Sequence, residues 1–222
     1  MKNAKNLLQK EICLCLSPIN YIFLAFVSML CIPNYPRYIP FFYITLNIFF
    51  IFNNAQINKD LLYSQILPIA KKDIVKARCL LVLFLEIAEF AISIPFAIIG
   101  AKIIAMPNAA GINANFAFYG MAMIPLTLWH IVFFAAFYKK AERPTLPFLL
   151  ASIVFFAAYI FLDTMVLLGR NSQVPIIMKL DSLDAKNFPA QMPILFAGIL
   201  FYVLGWIFTY KISAKRFEKV DL

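Results

Sequence analysis

The chain has 222 residues, 63% of them hydrophobic and 14% charged, where a soluble domain carries about 25% charged residues. Several apolar runs approach or exceed the roughly 20 residues that cross about 30 Å of hydrocarbon as a helix, which excludes a water-soluble globule. The net charge of +9 invites a nucleic-acid partner, but the basic residues are segregated along the chain rather than pooled, which excludes that partner and gives a topology signal instead.

Residues 2–16 place Ala4, Leu7, Leu8, Ile12 and Cys15 at three- and four-residue spacing, with Lys2, Lys5, Asn6 and Gln9 elsewhere around the wheel. This pattern predicts a helix lying in the membrane interface. Ser17-Pro18 then opens the first span, with Ser as cap and Pro early in the helix. Six spans are expected, at about 17–33, 38–57, 79–104, 116–138, 145–168 and 191–210. Short alternating segments of the β-barrel kind are absent. The fold class expected is an all-α polytopic membrane protein, residues 1–222 forming one transmembrane domain with no sizeable soluble part. The segment 169–191 is expected to hold a short amphipathic helix.

If the N-terminus is cytoplasmic, the inner segments hold Lys2, Lys5, Lys10, Lys59, Lys71, Lys72, Lys76, Arg78, Lys139, Lys140, Arg143, Lys211, Lys215, Arg216 and Lys219. Only Arg37, Lys102, Arg170, Lys179 and Lys186 remain outside. That bias puts both termini in the cytoplasm, in the plasma membrane of a bacterium, with anionic lipid as a secondary partner. Cys13, Cys15, Cys31 and Cys79 form no C-x-x-C pair, and the outer loops contain no cysteine for a disulfide. Residues 2–11 are too polar for a cleavable signal peptide.

Ionisable groups inside the bilayer are costly and raise a functional question by default. Glu86 lies eight residues beyond Arg78, about 12 Å along a helix. His130 lies eight residues before Tyr138 on the descending fourth span, at matching depth. Glu89 is one turn beyond Glu86, and Asn47 of the second span is level with them. Asn47, Glu86, Glu89 and His130 are thus candidates for a polar cluster that relays protons, contacts substrate or only holds helices together. Asp163 is expected at the outer interface, in contact with solvent. Nothing supports an enzyme. His130 is the only histidine, which removes H-E-x-x-H metal chemistry; no G-x-S-x-G nucleophile or G-x-x-x-x-G-K phosphate loop is present. Neither a metal nor a cofactor is expected on this chain.

Between the second and third spans stands NKDLLYSQILPIAKKDIVKAR, residues 58–78. Asp60-Leu61-Leu62 and Ile66-Leu67 alternate apolar and polar groups over about two turns, Pro68 breaks the chain, and Lys71-Lys72-Asp73 starts the next helix. The run from Asp60 through Leu67-Pro68-Ile69-Ala70-Lys71-Lys72-Asp73-Ile74-Val75 to Arg78 resembles the loop of small six-span ABC-2-type transporter permeases, including bacitracin-resistance and toxic-peptide exporters. These carry an acidic residue followed by L-P-[IV]-x-[KR]-x-[DE]-[IV]-V-x-[SA]-[KR]. Ala70 stands where the family often has Ser or Thr.

The resemblance implies that Asp60–Ile66 is a coupling helix pushed by a separate ATP-binding subunit, with Leu67-Pro68 as its corner and Lys71, Lys72 and Asp73 at its edge. It also implies ATP and Mg on that partner, a second permease copy or paralogue, and export of a hydrophobic or amphipathic substrate such as a peptide. The alternatives are a proton-coupled transporter or channel working through Glu86 and Glu89, which needs no ATPase, and a membrane scaffold or sensor that moves nothing.

Overall fold

A computed structural model describes residues 2–66, 69–104 and 108–220; the corner residues Leu67 and Pro68 lie outside them. The described elements are helices: α1 Lys2–Cys15, α2 Pro18–Ala25 continued by a 3-10 helix Phe26–Cys31, α3 Ile39–Ile57, α4 Asp60–Ile66, α5 Lys71–Ile104, α6 Phe116–Phe137, α7 Thr145–Asn171, α8 Pro175–Leu180, a 3-10 turn Ala185–Asn187, and α9 Phe188–Phe217. No strand occurs among the described residues.

Local chemistry sets many of these boundaries. Pro18 occupies the start of α2, and Asn20 Oδ1 accepts hydrogen bonds from the Ser17 N–H at 2.5 Å and its hydroxyl at 3.0 Å. These contacts satisfy groups that the helix start leaves open. Asn115 caps α6 by accepting from the Phe118 N–H at 3.0 Å. The turn after α6 is closed by Ala141 at φ 55°, and Pro144 then leads into α7. Pro95, Pro125 and Pro193 sit inside α5, α6 and α9, which is tolerated where neighbouring helices compensate for the lost backbone bond.

Four segments are long and apolar enough to cross a membrane: Lys71–Lys102, Phe116–Phe137, Thr145–Asn171 and Ala185–Phe217. A fifth is obtained only by joining Leu7–Cys13 to Pro18–Cys31 across an 85° bend. The expected six spans are therefore four, or five, on length and composition. The first predicted span is short because it is divided between α2 and the 3-10 helix. α3 matches the second predicted span in extent, yet Asn47, Asn53, Asn54 and Gln56 dilute its hydropathy. The third predicted span begins eight residues early, since α5 runs unbroken from Lys71.

α6 is the central post, packed chiefly against α9 and α7. Its approach to α9 is set by glycine. A Cβ on Gly198 would meet the Gly120 backbone, and one on Gly205 would meet the Thr127 side chain. Small residues of this kind let transmembrane helices pack by van der Waals contact, without help from water. Toward α4, Phe52 of α3 stands edge-on to Phe133, Phe134 and Phe137, and Trp129 stacks on Phe133 at 4.5 Å. The outer faces of α5, α7 and α9 expose Phe84, Ile87, Ile153, Phe161, Phe196 and Phe208, apolar surface that fits acyl chains and not water. Lys71 Nζ donates to the Val220 carbonyl at 2.5 Å, so the C-terminal end lies beside the base of α5. The base of α5, α1 and α4 share this end of the bundle; α8 marks the opposite end.

Candidate functional site

Two buried polar constellations stand out. The first joins α1, α4 and α5. Arg78, two turns into α5, donates through Nε to Glu11 and through Nη2 to Asp60 Oδ2, the latter at 2.7 Å. Lys10 Nζ reaches Asp60 Oδ1 at 2.7 Å, Ser64 Oγ at 2.5 Å and Glu11 Oε1 at 3.2 Å. The Arg78 guanidinium also lies 5.1 Å from the centre of the Phe52 ring, within cation–π range. Two cations thus face two carboxylates, and Glu11, Asp60, Ser64 and Arg78 are all at most 2% exposed. Such a group is stable only when every member is paired.

Cys15 donates its S–H to Glu11 Oε2 at 3.5 Å, and burial pushes its thiol up to about 12. Ligand atoms of Glu11, Cys15 and Asp60 lie close enough to surround a cation. Arg78 and Lys10 already occupy both carboxylates, and a protonated thiol is a poor ligand. In this structure the group is an ion network that joins three helices.

The network fixes the orientation of α4. Asp60, Leu61 and Ser64 turn inward, while Leu62, Tyr63 and Ile66 turn outward, Ile66 being 83% exposed. Beside α4 is an open cleft of about 310 Å³, lined by Gln56, Lys59, Leu61, Leu62, Glu142 and Arg143. Of the predicted edge residues, Lys72 and Asp73 are exposed in the first turn of α5, and Lys71 is half-buried against the C-terminal segment. Asp60, expected to face a partner, is instead an internal tether, because its carboxylate is consumed by Arg78 and Lys10.

The second constellation lies midway along the bundle. His130 Nε2 of α6 is 2.5 Å from Glu86 Oε1 of α5, and the Tyr202 hydroxyl of α9 donates to Glu86 Oε2 at 2.6 Å. The Trp206 ring covers His130, centroids 4.4 Å apart. Glu86, Glu89 and His130 are completely buried. Both carboxylate oxygens of Glu89 and Nδ1 of His130 lack a hydrogen-bond partner among the described residues. Tyr202, Glu86 and His130 form one hydrogen-bonded chain that binds three helices together.

Asn47 does not join this group. Its amide pairs with Asn20 instead: Asn20 Nδ2 donates to Asn47 Oδ1, and Asn47 Nδ2 donates to the Asn20 carbonyl at 3.1 Å. Asp163 is buried at the α8 end, where it accepts from the Ile112 N–H at 3.3 Å, and not solvated as expected. Arg170 holds that end together. It pairs with Asp181 and donates to the carbonyls of Asn108 at 2.8 Å and Gly111 at 2.9 Å.

Sequence reasoning missed Tyr202; it counted Lys10 only as a topology charge, and Arg78 as a topology charge and the last residue of the permease-like run. Glu11 carried a readable signal: it stands four residues from both Leu7 and Cys15, so it shares the apolar face of α1. The chain matches no protein-family model, no curated protein and no solved structure.

Proposed function

We propose that this chain is the membrane-spanning permease subunit of an ATP-driven exporter of the ABC-2 type. In this reading the α4 end faces the cytoplasm of a bacterial cell, and a separate ATP-binding subunit carries ATP and Mg. A second permease copy or paralogue completes the path for a hydrophobic or amphipathic substrate, a peptide being one candidate. The supporting observation is the construction of α4. It offers Leu62, Tyr63 and Ile66 on its free face, while Asp60 ties its buried face to α1 and α5. A short helix held in this way passes a push from its free face into a long apolar helix. The adjoining cleft against Glu142 and Arg143 gives the partner a place to seat.

The test is ATP turnover in the purified complex. Tyr63→Asp and Ile66→Asp are expected to release the ATPase or uncouple its turnover from substrate, with the bundle still folded. Unchanged assembly and unchanged substrate-stimulated turnover would remove the proposal.

A proton-coupled carrier is the second reading, and the buried Glu89 carboxylate beside Glu86, with no hydrogen-bond partner among the described residues, favours it. Liposomes containing this chain alone would then move substrate under a pH gradient, with no nucleotide present.

A further inference from the structure

A groove near the α8 end differs from every other cleft described. It lies between α5, α6 and α9, encloses about 440 Å³, and is walled by apolar side chains such as Phe90, Ile94, Ala97, Met123 and Leu195. It runs lengthwise, since α5 borders it from Phe90 to Lys102, about 18 Å at 1.5 Å per residue. Its polar neighbours are already engaged: the Tyr119 hydroxyl bonds Ser93 Oγ at 2.9 Å, and the Asn115 amide donates to the Leu180 and Ser182 carbonyls. Among the described residues that line it, the one charged is Lys102, in the last turn of α5. Lys102 is exposed, and no carboxylate among the described residues pairs with it. Asp184 and Asp181 line a different cleft with Arg170.

Length, lining and charge together select the occupant. The wall is apolar along its length, which suits one hydrocarbon chain laid along it. Lys102 closes the candidate span of α5, and the groove's length from there is comparable with half of a hydrocarbon core about 30 Å thick, the reach of one acyl chain. We propose that this groove is a lipid site that takes one acyl chain of an anionic phospholipid, with the phosphate held by Lys102. The site is independent of how transport is powered, so it stands or falls separately from the coupling of α4.

The experiment is native mass spectrometry of the detergent-purified full chain, titrated with phosphatidylglycerol or phosphatidylcholine. The wild-type chain is expected to retain about one phosphatidylglycerol, preferred roughly tenfold over phosphatidylcholine. Lys102→Gln should abolish that preference while some lipid is still retained. Ala101→Phe, at the rim, and Ala97→Phe, deeper in the wall, should reduce retention of both lipids. Ala101→Phe carries the test if the deeper variant fails to fold. The proposal is overturned by an unchanged lipid preference in Lys102→Gln or by wild-type retention in Ala101→Phe. Loss of a chain dimer in Ala101→Phe with lipid retention intact would also overturn it, because the groove would then hold a second copy.

Discussion

Asp60 and Arg78 meet in a buried ion pair, Oδ2 to Nη2 at 2.7 Å, although 18 residues separate them in sequence. Glu11 and Lys10 complete the group from α1, so three helices share a single neutral network. Taking an ion out of water costs several kcal/mol, and pairing returns this only while the network stays complete. The α4 end is therefore tied to α1 and α5 by four charged side chains.

Truncation of one member should consequently cost more than removal of the whole network. Arg78→Met leaves the two buried carboxylates of Glu11 and Asp60 with Lys10 as their one cation in the network, and a loss of about 3–5 kcal/mol is expected. The quadruple variant Lys10→Met, Glu11→Gln, Asp60→Asn, Arg78→Met should be more stable than Arg78→Met alone, because no unpaired carboxylate or ammonium remains. Thermal unfolding in detergent measures both. A quadruple variant worse than the single one would mean that the pairs themselves supply net stability.

The seam between α6 and α9 gives a different kind of test. Gly198→Ala would drive a Cβ into the Gly120 backbone, which has no rotamer by which to yield. Overpacking of this sort costs about 1–3 kcal/mol, and the two helices must separate to accept it. Gly205→Ala meets the Thr127 side chain instead, which has some freedom, so its effect should be smaller. Separation of α6 from α9 would also carry Tyr202 away from Glu86. Cysteine crosslinking across the seam should fall in Gly198→Ala and stay near the wild-type level in Gly205→Ala.

How much of this was legible in the sequence depends on the kind of information required. Depth along a helix is fixed by a rise of 1.5 Å per residue, so Glu86 and His130 were correctly expected at one level, and they meet. Rotation about the helix axis is fixed by packing partners, which apolar runs do not encode. Asn47 was expected at that same level but faces α2 and pairs with Asn20. Tyr202 was passed over because tyrosine in an apolar span reads as an interface anchor or a packing residue. The division of the first predicted span at Phe26 left no mark either, since Pro33 ends both a long helix and a broken one. Arg78 was the instructive miss. It supports the positive-inside bias and is also buried, and only the fold of α1 onto α5 reveals the second role.

Tyr202 and Glu89 separate packing from transport in the middle of the bundle. Tyr202→Phe deletes the donor to Glu86 Oε2 and leaves a buried acceptor open, at a cost of about 1–3 kcal/mol. Glu89→Leu deletes a carboxylate that has no hydrogen-bond partner among the described residues, so desolvation is relieved and no pairing is lost. Stability should stay level or rise, because replacing an uncompensated buried polar group by an apolar one of similar size removes its penalty. Flux measured on the same two variants then assigns the roles. Under ATP-driven export, Glu89→Leu should transport at the wild-type rate or close to it, and Tyr202→Phe should lose flux only as far as it loses folded protein. Abolished flux in a fully folded Glu89→Leu chain would instead place a proton or substrate step on that carboxylate, and the carrier reading would displace the coupling one.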